Sequence, residues 1–268
     1  MNTIVFIGGG NMASAIIGGL RKSGRAADSV LVVEPGDAQR DKLRADFGVR
    51  TCAAADAALS EAALVVWAVK PQFFHAAAAP CAPHIAQALH LSVMAGIPSA
   101  AIARASGTQR VVRAMPNTPA LIGQGIAGLY ARDAVTSAER VEIEAVLAPT
   151  GRTLWVAREE DLDAVTALSG SGPAYVFYFV EAMMQAALEM GLSAEQGKQL
   201  ALATFAGATA LAQASDDPPE LLRERVTSKG GTTYAALSSL EASGVQAAFV
   251  KAMKAARVRA RELGDEFG

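Results

Sequence analysis

The sequence predicts an α/β chain with a doubly wound, Rossmann-like sheet in its N-terminal part and an all-helical C-terminal part. Three observations carry this. Nearly continuous apolar β runs alternate with helical stretches in the first half. The first of those runs leads straight into a glycine fingerprint. Beyond about Glu160 the β signal disappears. Strands covered by helices on both faces read as such unbroken apolar runs, because neither face meets water.

The β runs are Thr3–Gly8, Val30–Glu34, Leu64–Val69, Leu89–Ala95 and Val111–Met115, separated by alanine-rich or charged stretches with helical spacing. That alternation predicts a parallel sheet. Two further runs, Gly125–Ala131 and Thr153–Ala157, flank a helix predicted over Ser137–Leu147 and extend the sheet. Helices follow at Leu162–Met190, Ala194–Ala214, Pro219–Thr227, Thr233–Ser243 and Val245–Leu263. A domain boundary is expected near Arg158–Asp161, giving a dinucleotide-binding domain over 1–160 and a helical domain over 161–268. Within the first helical segment lies Ser169-Gly170-Ser171-Gly172-Pro173. Proline lacks a backbone donor and crowds the preceding turn, so a kink or break is expected there.

Composition narrows the function. The 268 residues are 51% hydrophobic, enough for a sizeable core and against global disorder. A net charge of −2 argues against a protein built to coat nucleic acid. Lys251, Lys254, Arg257, Arg259 and Arg261 share the last helix with an apolar face, so they read as its solvated side. Cys52 and Cys81 form no CxxC pair, and His75, His84 and His90 show no ligand spacing; no metal site is expected and the histidines read as surface or loop residues. No signal core or membrane span is recognised, and the expected location is the cytoplasm.

Gly8-Gly9-Gly10-Asn11-Met12-Ala13 is a GxGxxA pattern between a strand and a helix. Gly8 allows the tight turn, Gly10 lets backbone approach a pyrophosphate, and Ala13 lets the helix pack on the strand. The helix start offers N–H groups and partial positive charge. Glu34 ends the second strand, where an acid accepts hydrogen bonds from the ribose hydroxyls of NAD and repels a 2′-phosphate. Arg40, close in sequence, keeps NADP open. Lys70 and Asn117 follow later strands, so both are expected at the ligand-binding edge, Asn117 between two stiffening prolines.

GGGNMA (8–13), AVKPQ (68–72), AMPNTPA (114–120), ALSGSGPAYVFYFVEAM (167–183) and VTSKGGTT (226–233) occur in this order. Together they resemble the pyrroline-5-carboxylate reductase family over essentially the whole chain. The resemblance implies a Rossmann domain followed by an all-α dimerisation domain, a homodimer or an oligomer of dimers, and reduction of 1-pyrroline-5-carboxylate to L-proline by NADPH or NADH. It implies cofactor contacts at Gly8, Gly10, Asn11, Met12, Ala13, Ala68, Lys70 and Asn117, and substrate contacts at Ser228, Gly231, Thr232 and Thr233. Two departures bear on cofactor preference: Ala55 stands where members often carry asparagine, and Glu34 where members favouring NADPH carry small polar groups.

The implied substrate is a small ring with a carboxylate and a C=N bond. A glycine turn opening a helix supplies donors to the carboxylate, here the Ser228 hydroxyl and the N–H groups of Gly231 and Thr232. Thr233 is the expected partner of the imine nitrogen and the catalytic residue. A blander reading makes Thr232 or Thr233 a helix N-cap. Two alternative functions remain open: a β-hydroxyacid-type dehydrogenase with Lys198 or Lys229 as base, and a non-catalytic dinucleotide-binding dimer.

Overall fold

The computed structural model describes residues 3–267, with side chains through residue 266. The chain divides into two compact units. One comprises residues 1–172 and 256–268, the other Pro173–Ala255. The division between these compact units falls inside the helical region.

The first unit is built on eight strands: β1 (Thr3–Ile7), β2 (Val30–Val33), β3 (Arg50–Cys52), β4 (Ala62–Trp67), β5 (Leu89–Ser92), β6 (Val111–Met115), β7 (Gly125–Ala131) and β8 (Gly151–Trp155). They lie in the order β3-β2-β1-β4-β5-β6-β7-β8. The connecting helices are α1 (Asn11–Lys22), α2 (Asp37–Phe47), α3 (Phe74–Ile85), α4 (Ser99–Ser106) and α5 (Ser137–Leu147).

Successive residues of β1 and β2 point to opposite faces, and both faces are covered. Ile4, Phe6, Val30 and Val32 pack with Ala13, Ile16, Ile17 and Leu43 of α1 and α2. Val5, Ile7, Leu31 and Val33 pack with Phe74, Ile85 and Ile102 of α3 and α4. Two buried faces per strand explain the unbroken apolar runs.

Two features of the sheet depart from the sequence reading. β3 has only three residues, all half-buried, so it carries no apolar run to signal it. β7 is antiparallel to β6, the one such pairing in the sheet. Only residues 116–124, containing a 3₁₀ turn at Thr118–Ile122, join the two strands. That is too short for the helical crossover a parallel neighbour needs. β7 and β8 are again parallel, joined through α5.

Helix α6 (Asp161–Val165) runs into a π-helical turn at Thr166–Gly170 before α7 (Gly172–Glu189) begins. Ser171 donates its N–H to Thr166 O at 2.8 Å, a five-residue step. The expected break at Ser169–Pro173 is thus a widened turn, and Pro173 enters the first turn of α7, where its missing N–H costs no helical bond.

The second unit contains α7, α8 (Ala194–Gln213), α9 (Pro219–Arg225), α10 (Thr232–Ala242) and the first half of α11 (Val245–Phe267). A Cβ on Gly197 of α8 would lie 2.9 Å from Ala187 Cβ of α7, so glycine is what permits that close approach. Phe249 of α11 packs on Tyr175 and Phe179 of α7, with ring centroids 6.0 and 5.6 Å apart. Large apolar side chains nevertheless remain exposed, including Phe177 (58%), Tyr178 (69%) and Leu211 (61%). No helix among the described residues is long and apolar enough to cross a membrane.

Candidate active site

The carboxyl ends of β1, β2, β4 and β6 lie along one edge, since all four strands run parallel within the sheet. β1 is the point from which the order runs one way through β2 and the other through β4, the switch point where open α/β sheets bind ligands.

Gly8 leaves β1 with φ +95°, and a Cβ there would meet Ala68 O at 2.8 Å and Val69 Cγ1 at 2.9 Å. Both the turn and the crowding demand glycine. Gly10 differs: a Cβ there would meet nothing within 4 Å. It is the N-cap of α1 and has no side-chain cap bond. The first helical bond runs from Ser14 N–H to Gly10 O, which leaves the N–H groups of Asn11, Met12 and Ala13 without a partner among the described residues. Open space beside three free donors at a helix start fits a pyrophosphate. Ala13 is fully buried against the core, as close packing of helix on strand requires.

Ala68 continues the sheet by donating to Ile7 O at 2.8 Å. Lys70 is exposed at the start of a 3₁₀ turn over Pro71–Phe73. Asn117 is buried after β6, and its Oδ1 accepts Ile126 N–H at 3.0 Å. It therefore pins the start of β7, and its amide N–H₂ has no partner among the described residues. Glu34 is tied down by backbone: Oε2 accepts Gly9 N–H and Oε1 accepts Gly36 N–H, each at 2.9 Å. Arg40 does not pair with that carboxylate; it donates to the carbonyls of Glu34 and Pro35 and forms an ion pair with Asp37.

In the helical unit, Ser228, Gly231, Thr232 and Thr233 come together at the start of α10. Gly230 has φ +77°, which turns the chain. Gly231 N–H donates to Ser228 O at 3.0 Å, so this N–H is engaged within the turn. The N-cap is Gly231, with no side-chain cap bond; neither threonine caps the helix. The next bond runs from Ala235 N–H to Gly231 O. The N–H groups of Thr232, Thr233 and Tyr234 thereby have no partner among the described residues, a donor set that sequence spacing could not separate from Gly231. A Cβ on Gly231 would sit 2.7 Å from Ser228 Oγ, so the absent side chain gives that hydroxyl its room.

Two other helices carry side-chain caps. Thr136 with Glu139 caps α5, and Ser193 with Gln196 caps α8, each as a reciprocal box. α1, α2 and α10 start on glycine instead. Lys198 and Lys229 are both exposed.

His90 corrects the sequence reading, which placed it at the surface. It is fully buried in β5. Trp67 Nε1–H donates to its Nδ1 at 3.0 Å, and its Nε2 faces Ile85 O at 3.1 Å. Accepting at Nδ1 fixes the neutral ring with its proton on Nε2. Burial pushes its pKa down to about 4 against the smaller opposing effect of Ile85 O. The signal available was its place within an apolar run, Leu89–Ala95.

Glu159 was also missed. Oε1 accepts Ser99 N–H at 2.6 Å and Arg113 at 2.7 Å, and Oε2 accepts the Ser99 hydroxyl at 2.5 Å. Burial pushes its carboxyl up, but the Ser99 and Arg113 bonds outweigh it and hold the pKa below the usual range.

Residues 159–263 match the family described as pyrroline-5-carboxylate reductase dimerisation, and residues 3–96 one described as NADP oxidoreductase, coenzyme F420-dependent. A pyrroline-5-carboxylate reductase of Pseudomonas aeruginosa is 43% identical, covering 99% of this chain and 98% of that protein. A structure of a pyrroline-5-carboxylate reductase from Coxiella burnetii superposes with a TM-score of 0.92 at 34% identity, covering 98% of each chain. One from Plasmodium falciparum, with NADP bound, gives 0.87 at 26% identity and the same coverage.

Proposed function

The chain belongs to the pyrroline-5-carboxylate reductase family, and from that premise we propose how its residues divide the work of reducing 1-pyrroline-5-carboxylate to L-proline, the last step of proline biosynthesis. It is a nicotinamide-dinucleotide-dependent oxidoreductase, and it associates as a homodimer through its helical domain. The observation that carries the division of roles is that α1, which leaves the carboxyl end of β1, and α10, which opens the Ser228–Thr233 turn, each start on glycine with three backbone N–H groups that have no partner among the described residues.

At α1 the N–H groups of Asn11, Met12 and Ala13 hold the cofactor pyrophosphate, with Gly8 and Gly10 giving the backbone access. Ala68, Lys70 and the Asn117 amide face the remainder of the cofactor from the same sheet edge. Bound nicotinamide supplies the hydride. At α10 the N–H groups of Thr232 and Thr233 and the Ser228 hydroxyl hold the substrate carboxylate. A helix start stabilises an anion by roughly 0.3–2 kcal/mol. Each hydrogen bond to a charged group adds about 1.5–3 kcal/mol. That is sufficient for a small anion without a buried arginine.

The Thr233 hydroxyl takes the imine nitrogen. A protonated imine has the more electrophilic carbon, and a neutral hydroxyl orients its N–H without covering the face to be attacked. The chain itself contributes proximity and orientation, and no strong acid is required at that position. A cytoplasmic location belongs to the same reading and agrees with Cys52 and Cys81 both being free thiols.

The test is Thr233→Ala alongside Thr233→Ser, assayed with 1-pyrroline-5-carboxylate. Alanine should lower kcat by about 10- to 100-fold, the worth of a hydrogen bond to a charged group. Serine should recover most of the loss, and the dinucleotide Kd should stay within error of the parent in both. A matching loss of dinucleotide binding would contradict the assignment.

A further inference from the structure

The second half of α11 belongs with the strand-built unit, not with the helices that precede it. Ala256, Ala260, Leu263 and Gly264 recur every three or four residues and are the buried or half-buried positions of this half among the described residues. The stripe ends on the loop after β5. A Cβ on Gly264 would lie 3.3 Å from Gly96 O, and one on Gly96 would lie 3.2 Å from Leu263 O. Backbone therefore meets backbone here, with a glycine on each side. Gly96 also has φ +78°, a conformation that favours glycine.

Charge ties the same half to α6. Arg257 and Arg261 share a face at four-residue spacing. Burial raises the Asp163 pKa, while the Arg113, Arg257 and Arg261 charges oppose the rise. Asp161 is lowered mainly by its hydrogen bond with Arg158, with a further pull from Arg257. Arg259 is instead paired along its own helix with Glu262 and Glu266.

The contacted loop, Val93–Pro98, leaves the carboxyl end of β5, which runs parallel to β4 on one side and β6 on the other. It therefore lies on the edge that carries Ala68, Lys70 and Asn117. Val93 N–H donates to Trp67 O at 3.0 Å at its start, and just beyond its end Glu159 accepts the Ser99 N–H at 2.6 Å. Between these ties Met94 and Ile97 are buried, while Ala95 and Gly96 are half-buried. In a doubly wound sheet one mononucleotide half of the cofactor lies to each side of the switch point. With β2 on the adenosine side, β4, β5 and β6 flank the nicotinamide half.

Resting on the assignment of Gly8–Ala13 to the dinucleotide, we propose that the second half of α11 is a strut that sets the Val93–Pro98 loop against the nicotinamide half of the cofactor. Gly96 and Gly264 are positioning residues: their missing side chains let the helix end seat on the loop backbone. Arg257 and Arg261 hold the strut to the acids of α6. The helix acts through the loop, on whose position the approach of the nicotinamide to the imine depends.

Calorimetric titration of the cofactor-free protein tests this with NADH, NADPH and their nicotinamide-free counterparts, ADP-ribose and 2′-phospho-ADP-ribose. Gly264→Ala is the main variant, because alanine is the better helix former and should not weaken α11. Its methyl group nevertheless presses on Gly96 O. The dinucleotides should bind about three- to tenfold more weakly, the scale of one or two hydrogen bonds, and the nicotinamide-free fragments as they bind the parent. kcat should fall by about 10- to 100-fold, the scale of a small misplacement. Gly96→Ala should act in the same way. Gly107→Ala is the control: φ there is +77°, so the backbone strain matches, but the nearest atom to a Cβ is Ala86 Cβ at 3.7 Å. It should lower the thermal midpoint and leave every affinity unmoved. Arg257→Met/Arg261→Met should weaken the dinucleotides alone, in the same direction. Parent-like dinucleotide binding by Gly264→Ala and Gly96→Ala would overturn the strut, and so would an equal loss of dinucleotides and fragments. Parent-like binding by the double arginine variant would remove the arginines from it. Failure of the parent to bind any of the four ligands would instead bring down the assignment of the glycine turn, and this proposal with it.

Discussion

His90 shows what one buried ring does to a whole protein's pH response. Its folded pKa lies at about 4, below the ordinary imidazole value of 6.5, chiefly because burial disfavours the charged form. Between those values the unfolded chain takes up a proton that the folded chain refuses, so stability rises with pH across that window. The full stability is present above about pH 6.5, and the loss is complete once pH has fallen through about 4. A shift of this size corresponds to about 3 kcal/mol at its limit. Denaturant unfolding at pH 7 and at pH 4.5 should show most of that difference, and His90→Gln should remove this part of the slope. An unchanged slope in the variant would mean that other groups carry the acid sensitivity. The histidine's position inside an apolar run was visible in the sequence. Its partners were not, because Trp67 and Ile85 reach it through strand pairing and through the turn between α3 and β5.

At the scale of elements, the Glu159 carboxylate joins the segment after β8 to the first residue of α4 and to Arg113 of β6. Glu159 and Arg113 are 21% and 12% exposed, so the pair is largely withdrawn from water. Breaking such a pair leaves a charge uncompensated, and Glu159→Ala should destabilise the fold by about 3 kcal/mol. Glu159→Gln keeps an acceptor for Ser99 and should cost less. Because the folded carboxyl titrates below its unfolded value, the contribution is complete above the ordinary carboxylate range. It fades as pH falls through the depressed value. Equal midpoints for parent and Glu159→Ala in denaturant at pH 7 would show that the pair contributes nothing. This tie spans 60 residues and has no local signature, whereas the capping boxes of α5 and α8 can be read directly from Thr136–Glu139 and Ser193–Gln196. The reversal of β7 is of the first kind. Its residues suit a strand in either direction, and the length of the connection decides which.

For the whole molecule, the helical unit alone leaves Phe177 and Tyr178 more than half exposed on α7. Side chains of this size cost on the order of 2 kcal/mol each when left in water rather than buried. Pairing of two copies is the physical resolution, in keeping with the dimerisation family that residues 159–263 match. Phe177→Asp combined with Tyr178→Asp should shift the protein toward monomer in sedimentation velocity at micromolar concentration, with loss of turnover. A variant that sediments as the parent does would place the pairing surface on another face.

The sequence by itself determined which segments become strands and helices in most of the chain, where the glycine turn between β1 and α1 lies, and where the helical segment breaks. Apolar periodicity, glycine and proline act over a few residues, so their consequences can be read in place. Only the tertiary structure decided that Gly231 spends its N–H inside the turn and that Glu34 is held by Gly9 and Gly36. It also decided that His90 sits in the core and that Glu159 reaches Ser99. Each of these depends on which groups the fold brings within hydrogen-bond distance, and that is set by turn geometry and strand order rather than by the composition of any one stretch.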